Sequence, residues 1–231
     1  MFSWFAFFRH ADDGARLPAA ELDTVAGELH TIAGVRQARL FTPAPTGTAH
    51  PFPDDEPPPM LALQLHFVTI GEMEAALCAD GALARIAALP NLRRATIGHQ
   101  AMVARPFPVP DARQRTPPGA APCSYLVHYP GVAEDAIAWH THYLAHHPQL
   151  MAGFSGVREI EIYSRLDWLS ELLWPRLDAF QRNKLVFDSP AALSAALMSP
   201  TIQDMRADYH RFPPFTGGNV HYPMMTRMVV S

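Results

Sequence analysis

RPFPVPDARQRTPPGAAP, Arg105 to Pro122, lies almost at the midpoint of the 231-residue chain, and its reading decides the fold. A proline-rich run is semi-extended and resists joining the secondary structure on either side. It reads as a linker, 107–122, between a first half, 1–106, and a second half, 123–231. Laid on each other, the halves match in order. HQAMVAR (His99–Arg105) pairs with HYPMMTR (His221–Arg227) at an offset of 122, as does Gly34-Val35-Arg36 with Gly156-Val157-Arg158. Phe67 with Ala75-Ala76-Leu77 pairs with Phe187 and Ala195-Ala196-Leu197 at 120, and Ser3-Trp4 with Ser124-Tyr125 at 121. Four matches in order at nearly one offset indicate an internal duplication of two copies rather than a solenoid.

Each copy has the same coarse pattern. In the first, strands are expected at Trp4–Phe8, Val35–Phe41, Met60–Val68 and Ala95–Arg105. Between them lie helices over Ala19–Ala33, where Leu22, Val25, Leu29 and Ile32 recur at helical spacing, and over Glu72–Ala88. The second has strands at Cys123–Tyr129, Val157–Tyr163, Gln181–Phe187 and Val220–Val230, with a helix capped by Ser189 and opened by Pro190. The order βαββαβ is the ferredoxin-like unit. Its antiparallel sheet carries helices on one face only, so the other face needs a partner. The expected fold is α+β: two ferredoxin-like repeats whose sheets pack together as an α/β barrel.

Composition bounds the function. With 48% hydrophobic residues the chain can bury one large core or two small ones. A net charge of −4 speaks against a nucleic-acid partner, since neutralising phosphates needs a basic face. Cys78 and Cys123 stand alone, without metal-like spacing, which suits a reducing, cytoplasmic compartment. The apolar opening MFSWFAFF has no basic leader and is too short for a membrane span, so it reads as a buried strand. The proline-rich stretch Thr42–Pro59 reads as a long loop, and its Asp54-Asp55-Glu56 as a mobile acidic segment rather than a site.

Chemistry concentrates in DAIAWHTHYLAHHPQLMAGFSG, Asp135 to Gly156, which holds His140, His142, His146 and His147. On a helix, Trp139, Tyr143, His146, His147 and Leu150 share one side. Pro148 is expected to kink or end that helix, leaving His147 at an irregular junction, with His140 and His142 mostly toward solvent or the outer helix packing. His128 stands where the first copy has Phe7, whereas Tyr125 and Tyr129 lie on the opposite face of the same strand. His221 and Arg227 are shared with His99 and Arg105, which suggests a structural role, and Tyr209-His210 reads as surface. In Arg165–Phe180, Trp168, Leu169, Leu172 and Leu173 are spaced as a helical turn or two covering core or an interface.

The second half resembles the EthD-like family of the dimeric α/β-barrel superfamily. The resemblance rests on Tyr143, His147, Leu150 and Gly156 with Trp139 before them, on FDSPAALSAALMSP (Phe187–Pro200), and on Thr216-Gly217-Gly218. The first half departs at the site, with Thr24 and Val25 in place of His146 and His147. The resemblance implies a small aromatic, polyketide-like or lactone substrate handled by proton transfer without cofactor or metal. His147 would be the acid/base, with Tyr143 or His128 orienting an oxygen, and Trp139, His146, Leu150 and Tyr125 as substrate contacts. The alternatives are a non-catalytic binding or structural barrel and, further off, a haem protein of the kind some relatives in the wider superfamily are. The expected partner is a small organic ligand, with no membrane and with a homodimer left open.

Overall fold

The computed structural model describes residues 1–48, 51 and 56–230. Most of the acidic segment expected in the first long loop, Asp54 and Asp55, therefore lies outside the described residues. The first half runs β1 (Phe2–Arg9), α1 (Ala19–His30), β2 (Gln37–Pro43), β3 (Leu61–Phe67), α2 (Ile70–Ala76), α3 (Ala82–Ala87) and β4 (Thr96–Phe107). The second runs β5 (Cys123–Tyr129), α4 (Ala136–Met151), β6 (Val157–Arg165), β7 (Gln181–Phe187), α5 (Pro190–Leu197), α6 (Thr201–Tyr209) and β8 (Val220–Val230). The expected helix over Glu72–Ala88 is thus two short ones. Asp80-Gly81 breaks it, and Gly81 serves as the extended N-cap residue of α3.

The strands close into one antiparallel barrel in the order β1-β3-β2-β8-β5-β7-β6-β4. Within each half the order is that of a ferredoxin-like sheet. The halves are sewn together at two seams, β2 with β8 and β4 with β6, where Phe41 faces Thr226 and Ala104 faces Tyr163. Closure leaves no edge strand unpaired. It also explains why β3, β5 and β7 are buried at every position. One face of each looks into the barrel and the other looks at helices.

Three apolar clusters follow from that geometry. Phe5, Phe7, Phe41, Leu126, Tyr163 and Tyr222 fill the barrel. Helices α1–α3 cover the outer face of the first half around Trp4, Leu29, Leu63 and Ile86. Helices α4–α6 cover the second around Tyr129, Trp139, Tyr143 and Leu193. The linker is pinned rather than loose: Arg158 bonds Asp111 and Asp188 at 2.8 Å, and the Arg115 amide donates to Asp188 at 2.6 Å. Where the chain enters β8, the Thr216 amide donates to the Val132 carbonyl (3.0 Å), bringing the two backbones together. A Cβ at Gly131 would stand 1.3 Å from the Thr216 carbonyl oxygen, so only glycine permits this approach. No helix among the described residues is long and apolar enough to cross a membrane.

Candidate functional site

Helix α4 begins at Asp135, whose carboxylate accepts the amides of Ile137 and Ala138 at 2.9 Å. It does not end at the histidine pair. The helix runs through Pro148 to Met151, against the expected break. Proline removes one amide from the ladder, and the Leu144 carbonyl thereby freed accepts the Gln149 side chain at 3.3 Å. His147 consequently sits on a regular helix wall. The buried stripe is Trp139, Tyr143, His147 and Met151, a spacing of four.

This stripe sorts the candidate residues. His146, a hundred degrees round the helix from His147, is exposed; it stacks on His142 at 4.6 Å and its Nδ1 lies 2.9 Å from the His142 carbonyl oxygen. Leu150 is half-buried and faces away from the cavity described below. Trp139 is wholly enclosed by Tyr129, Tyr143, Phe180, Phe212 and Phe215, and is core rather than a substrate contact. Tyr143 is equally enclosed; its hydroxyl accepts from Asn183 Nδ2 at 2.6 Å, one layer behind the cavity. His140 and His142 are half-buried in helix packing: the first stacks on Phe180 at 4.5 Å, and the second reaches Asp208.

His147 is the residue the fold equips. Its Nδ1 lies 2.7 Å from Asp208 Oδ2, and His142 Nε2 lies 3.2 Å from the other carboxylate oxygen. Asp208, from the last turn of α6, is buried. Burial pushes its carboxyl up, but hydrogen bonding and charge from His147, then His142, outweigh that and hold it below the ordinary value. Burial likewise holds the His147 imidazole below its ordinary value, against the pull of Asp208. At neutral pH the pair is therefore a carboxylate and a neutral imidazole. A carboxylate only accepts, so the proton sits on Nδ1 and the Nε2 lone pair is left for another partner.

Beside it lies a partly open cavity of about 100 Å³ between the sheet and α4–α6. Its polar lining is His147, Tyr125, Tyr129, Arg206, Tyr209, Asn219 and His221, and Val127, Phe154, Leu185, Leu197, Ile202 and Met205 form its apolar wall. Tyr125 and His221 stack at 5.3 Å, nearly parallel. Burial raises the hydroxyl pKa of both Tyr129 and Tyr209, so both stay protonated and able to donate. Tyr209, half-buried, and His221 both line this cavity, beyond the surface and structural places expected of them. Of the candidates read from sequence, the structure brings only His147 and Tyr125 to this cavity. Asp208 and Asn219 were missed.

His128 points the other way, into the barrel, between Phe7 (4.9 Å) and Tyr222 (5.0 Å). Residues alternate across a strand, so it cannot share a site with Tyr125 or His147.

The equivalent cleft of the first half is filled. His99, the counterpart of His221, accepts from Trp4 Nε1 at 3.2 Å and is packed by Trp168 (4.8 Å) and Trp174 (5.6 Å). Those tryptophans come from residues 166–179 of the second half, which form an extended strap, not the helical turns expected from spacing. The strap's backbone is tied to the first half: Glu171 N donates to the Leu77 carbonyl (3.0 Å), and Leu169 N to Glu74 Oε1 (2.8 Å).

Among the described residues no group of three or more His, Cys, Asp or Glu side chains is placed to hold a metal. The His147 cavity is also too small for a haem: about 100 Å³ falls well short of the roughly 300–1,000 Å³ of pockets for drug-sized ligands.

No protein-family model and no curated protein sequence matches the chain. Solved structures do resemble it. An anthrone oxidase-like protein superposes with a TM-score of 0.60 at 11% identity, covering 100% of this chain and 94% of that one. A protein proposed to be a monooxygenase, from Lactobacillus acidophilus NCFM, gives 0.55 at 9% identity, over 99% and 94%. A chlorite dismutase variant from Candidatus Nitrospira defluvii gives 0.52 at 13%, over 97% and 90%. An EthD family protein from Bacillus halodurans covers only 46% of this chain with a TM-score of 0.35, too weak to carry an EthD assignment. At these identities the likeness is one of fold, and the fold is that of the dimeric α/β barrels, built here from a single chain.

Proposed function

We propose that the second half, 123–231, binds a compact and largely apolar organic molecule and moves a proton on it with His147 as general base. The observation carrying this reading is the 2.7 Å contact between His147 Nδ1 and the Asp208 carboxylate at the wall of a largely apolar cavity. Asp208 fixes the tautomer and steadies the imidazolium that forms, and His147 Nε2 takes a proton from a phenol or from carbon beside a carbonyl. The same proton returned to another atom makes the reaction an isomerisation or a ring closure, with no cofactor in the balance. Tyr209 and Asn219 are the donors available to a developing oxyanion.

At about 100 Å³ the cavity is smaller than the roughly 150 Å³ that holds benzene, so its walls must give to admit even one ring. A polyketide-sized substrate requires α6 to move aside. The first half, 1–106, serves as the structural copy derived from the same ancestral unit, its own cleft occupied by Trp168 and Trp174. The family resemblance supports EthD-like chemistry in the second half only.

The test is exchange of solvent deuterium into a panel of small cyclic ketones and phenols, read by NMR, together with binding of each. Wild type should catalyse exchange on at least one class, and His147→Gln should reduce it by about 10²–10⁴. Saturable binding with no exchange on any member would instead make the chain a binding module, and no binding at all would end the small-molecule reading.

A further inference from the structure

Arg182, on β7, is 3% exposed, and no carboxylate among the described residues lies within ion-pair distance of it. One terminal nitrogen donates to Gln100 Oε1 at 2.9 Å, the guanidinium lies 4.6 Å over the Phe7 ring, and Nε has no partner. Gln100 is itself locked by two bonds to the Ala179 backbone, 2.9 and 3.1 Å, so the guanidinium is rigidly held. A buried charge without a counter-ion is costly, and such groups are normally paired. This one opens onto a cleft of about 480 Å³ at the mouth of the barrel.

The cleft is lined by Arg9, His128, Tyr222 and Glu56 with apolar walls from Phe7, Leu177 and Val220. Arg9 is already neutralised by Glu56 at 2.8 Å, and Asp178 is taken by Arg165 at 2.9 Å. Among the described residues one positive charge is left over, at Arg182. His128 is kept neutral by burial and then by the Arg182 and Arg9 charges, which leaves it a hydrogen-bonding wall rather than a second cation.

We propose that the barrel mouth is a second binding site, for the carboxylate of a small organic acid, anchored on Arg182 with the acid's apolar body against Phe7, Leu177 and Val220. A single uncompensated charge selects a monoanion, and the planar guanidinium fork suits a carboxylate. The site is independent of the His147 cavity. His128 and Val127 are neighbours on β5 but face opposite sides of the sheet, so the two sites stand back to back.

Benzoate is the probe, titrated calorimetrically into the full chain at low ionic strength, with benzamide as its neutral counterpart. Benzoate should saturate and benzamide should bind at least tenfold more weakly. Arg182→Met should weaken benzoate at least tenfold, while His147→Gln leaves it unchanged. If Arg182→Met does not fold, Arg182→Lys, which keeps the charge and loses the fork, should still weaken benzoate at least threefold. Failure of wild type to saturate, equal binding of benzamide, undiminished binding by the Arg182 variants, or loss of binding in His147→Gln would each overturn the proposal.

Discussion

At the scale of single residues, the proposed chemistry rests on a division of labour between His147 and Asp208. Asp208→Asn keeps the shape and removes the acceptor-only partner, so it should lower any His147-dependent rate by about 10² or more with little change in binding. Steady-state kinetics on the substrate class found by exchange would check it. The rate should also fall only at pH values below the ordinary histidine range, because burial holds His147 neutral. A second histidine reports on stability. Burial lowers His99 from 6.5 to about 4. Its folded pKa lies below its unfolded one, so the unfolded chain binds the extra proton. Stability from this residue is complete above about pH 6.5 and is lost as pH falls toward 4, at about 1.4 kcal/mol per unit. His99→Gln should flatten the slope of chemically measured stability over that window. His147 was legible in the sequence because an aromatic four residues before it fixed the face. Asp208 was not, because it lies 61 residues away and only the packing of α6 on α4 brings it near.

At the scale of elements, two readings failed because side-chain or tertiary bonds satisfied backbone groups that the pattern of residue types left open. Helix α4 survives Pro148 because Gln149 supplies the missing donor to Leu144. Residues 166–179 carry helical spacing yet lie extended, because Leu77 and Glu74 of the first half take their amides. The strap's apolar residues then divide. Trp168 and Leu172 are buried over the first half, and Leu169 and Leu173 are left exposed. Trp168 also holds Arg176 over its ring at 4.5 Å. Trp168→Ala should cost about 3 kcal/mol or more in a denaturant titration, since truncating a buried tryptophan loses both transfer energy and packing. It should also open the cleft beside His99 to small apolar probes. Leu173→Ala, by contrast, should change stability by less than about 0.5 kcal/mol.

At the scale of the whole molecule, the repeat offsets and the midpoint linker were sufficient to anticipate the barrel, because a ferredoxin-like sheet with helices on one face has few ways to cover the other. The charged interior could not be foreseen. Strand alternation tells which side chains point inward but not whom they meet. Lys184, wholly buried, bonds Glu161 at 2.5 Å, Gln64 at 3.0 Å and Glu159 at 2.9 Å, while Arg39 grips Glu159 at 2.8 and 2.9 Å. Gln64 and Lys184 occupy equivalent places in the two halves, as do Arg39 and Glu161, which lie 3.7 Å apart. Each residue thus meets its own counterpart with a complementary group, where two identical halves would meet like with like. Lys184→Met strands Glu161 in the interior and should cost about 3–5 kcal/mol. Adding Glu161→Gln should recover much of the loss, as a double-mutant cycle in urea would show.

The central claim is that His147 is a neutral base whose free nitrogen, Nε2, serves the cavity between the sheet and α4–α6. Its ring nitrogens can be observed directly by ¹⁵N NMR of histidine-labelled protein at neutral pH, assigned with His147→Gln. The account predicts a neutral ring protonated at Nδ1, with the Nε2 signal moving when a cavity ligand binds and the Nδ1 preference lost in Asp208→Asn. A ring protonated at Nε2, or doubly protonated at pH 7, would contradict it.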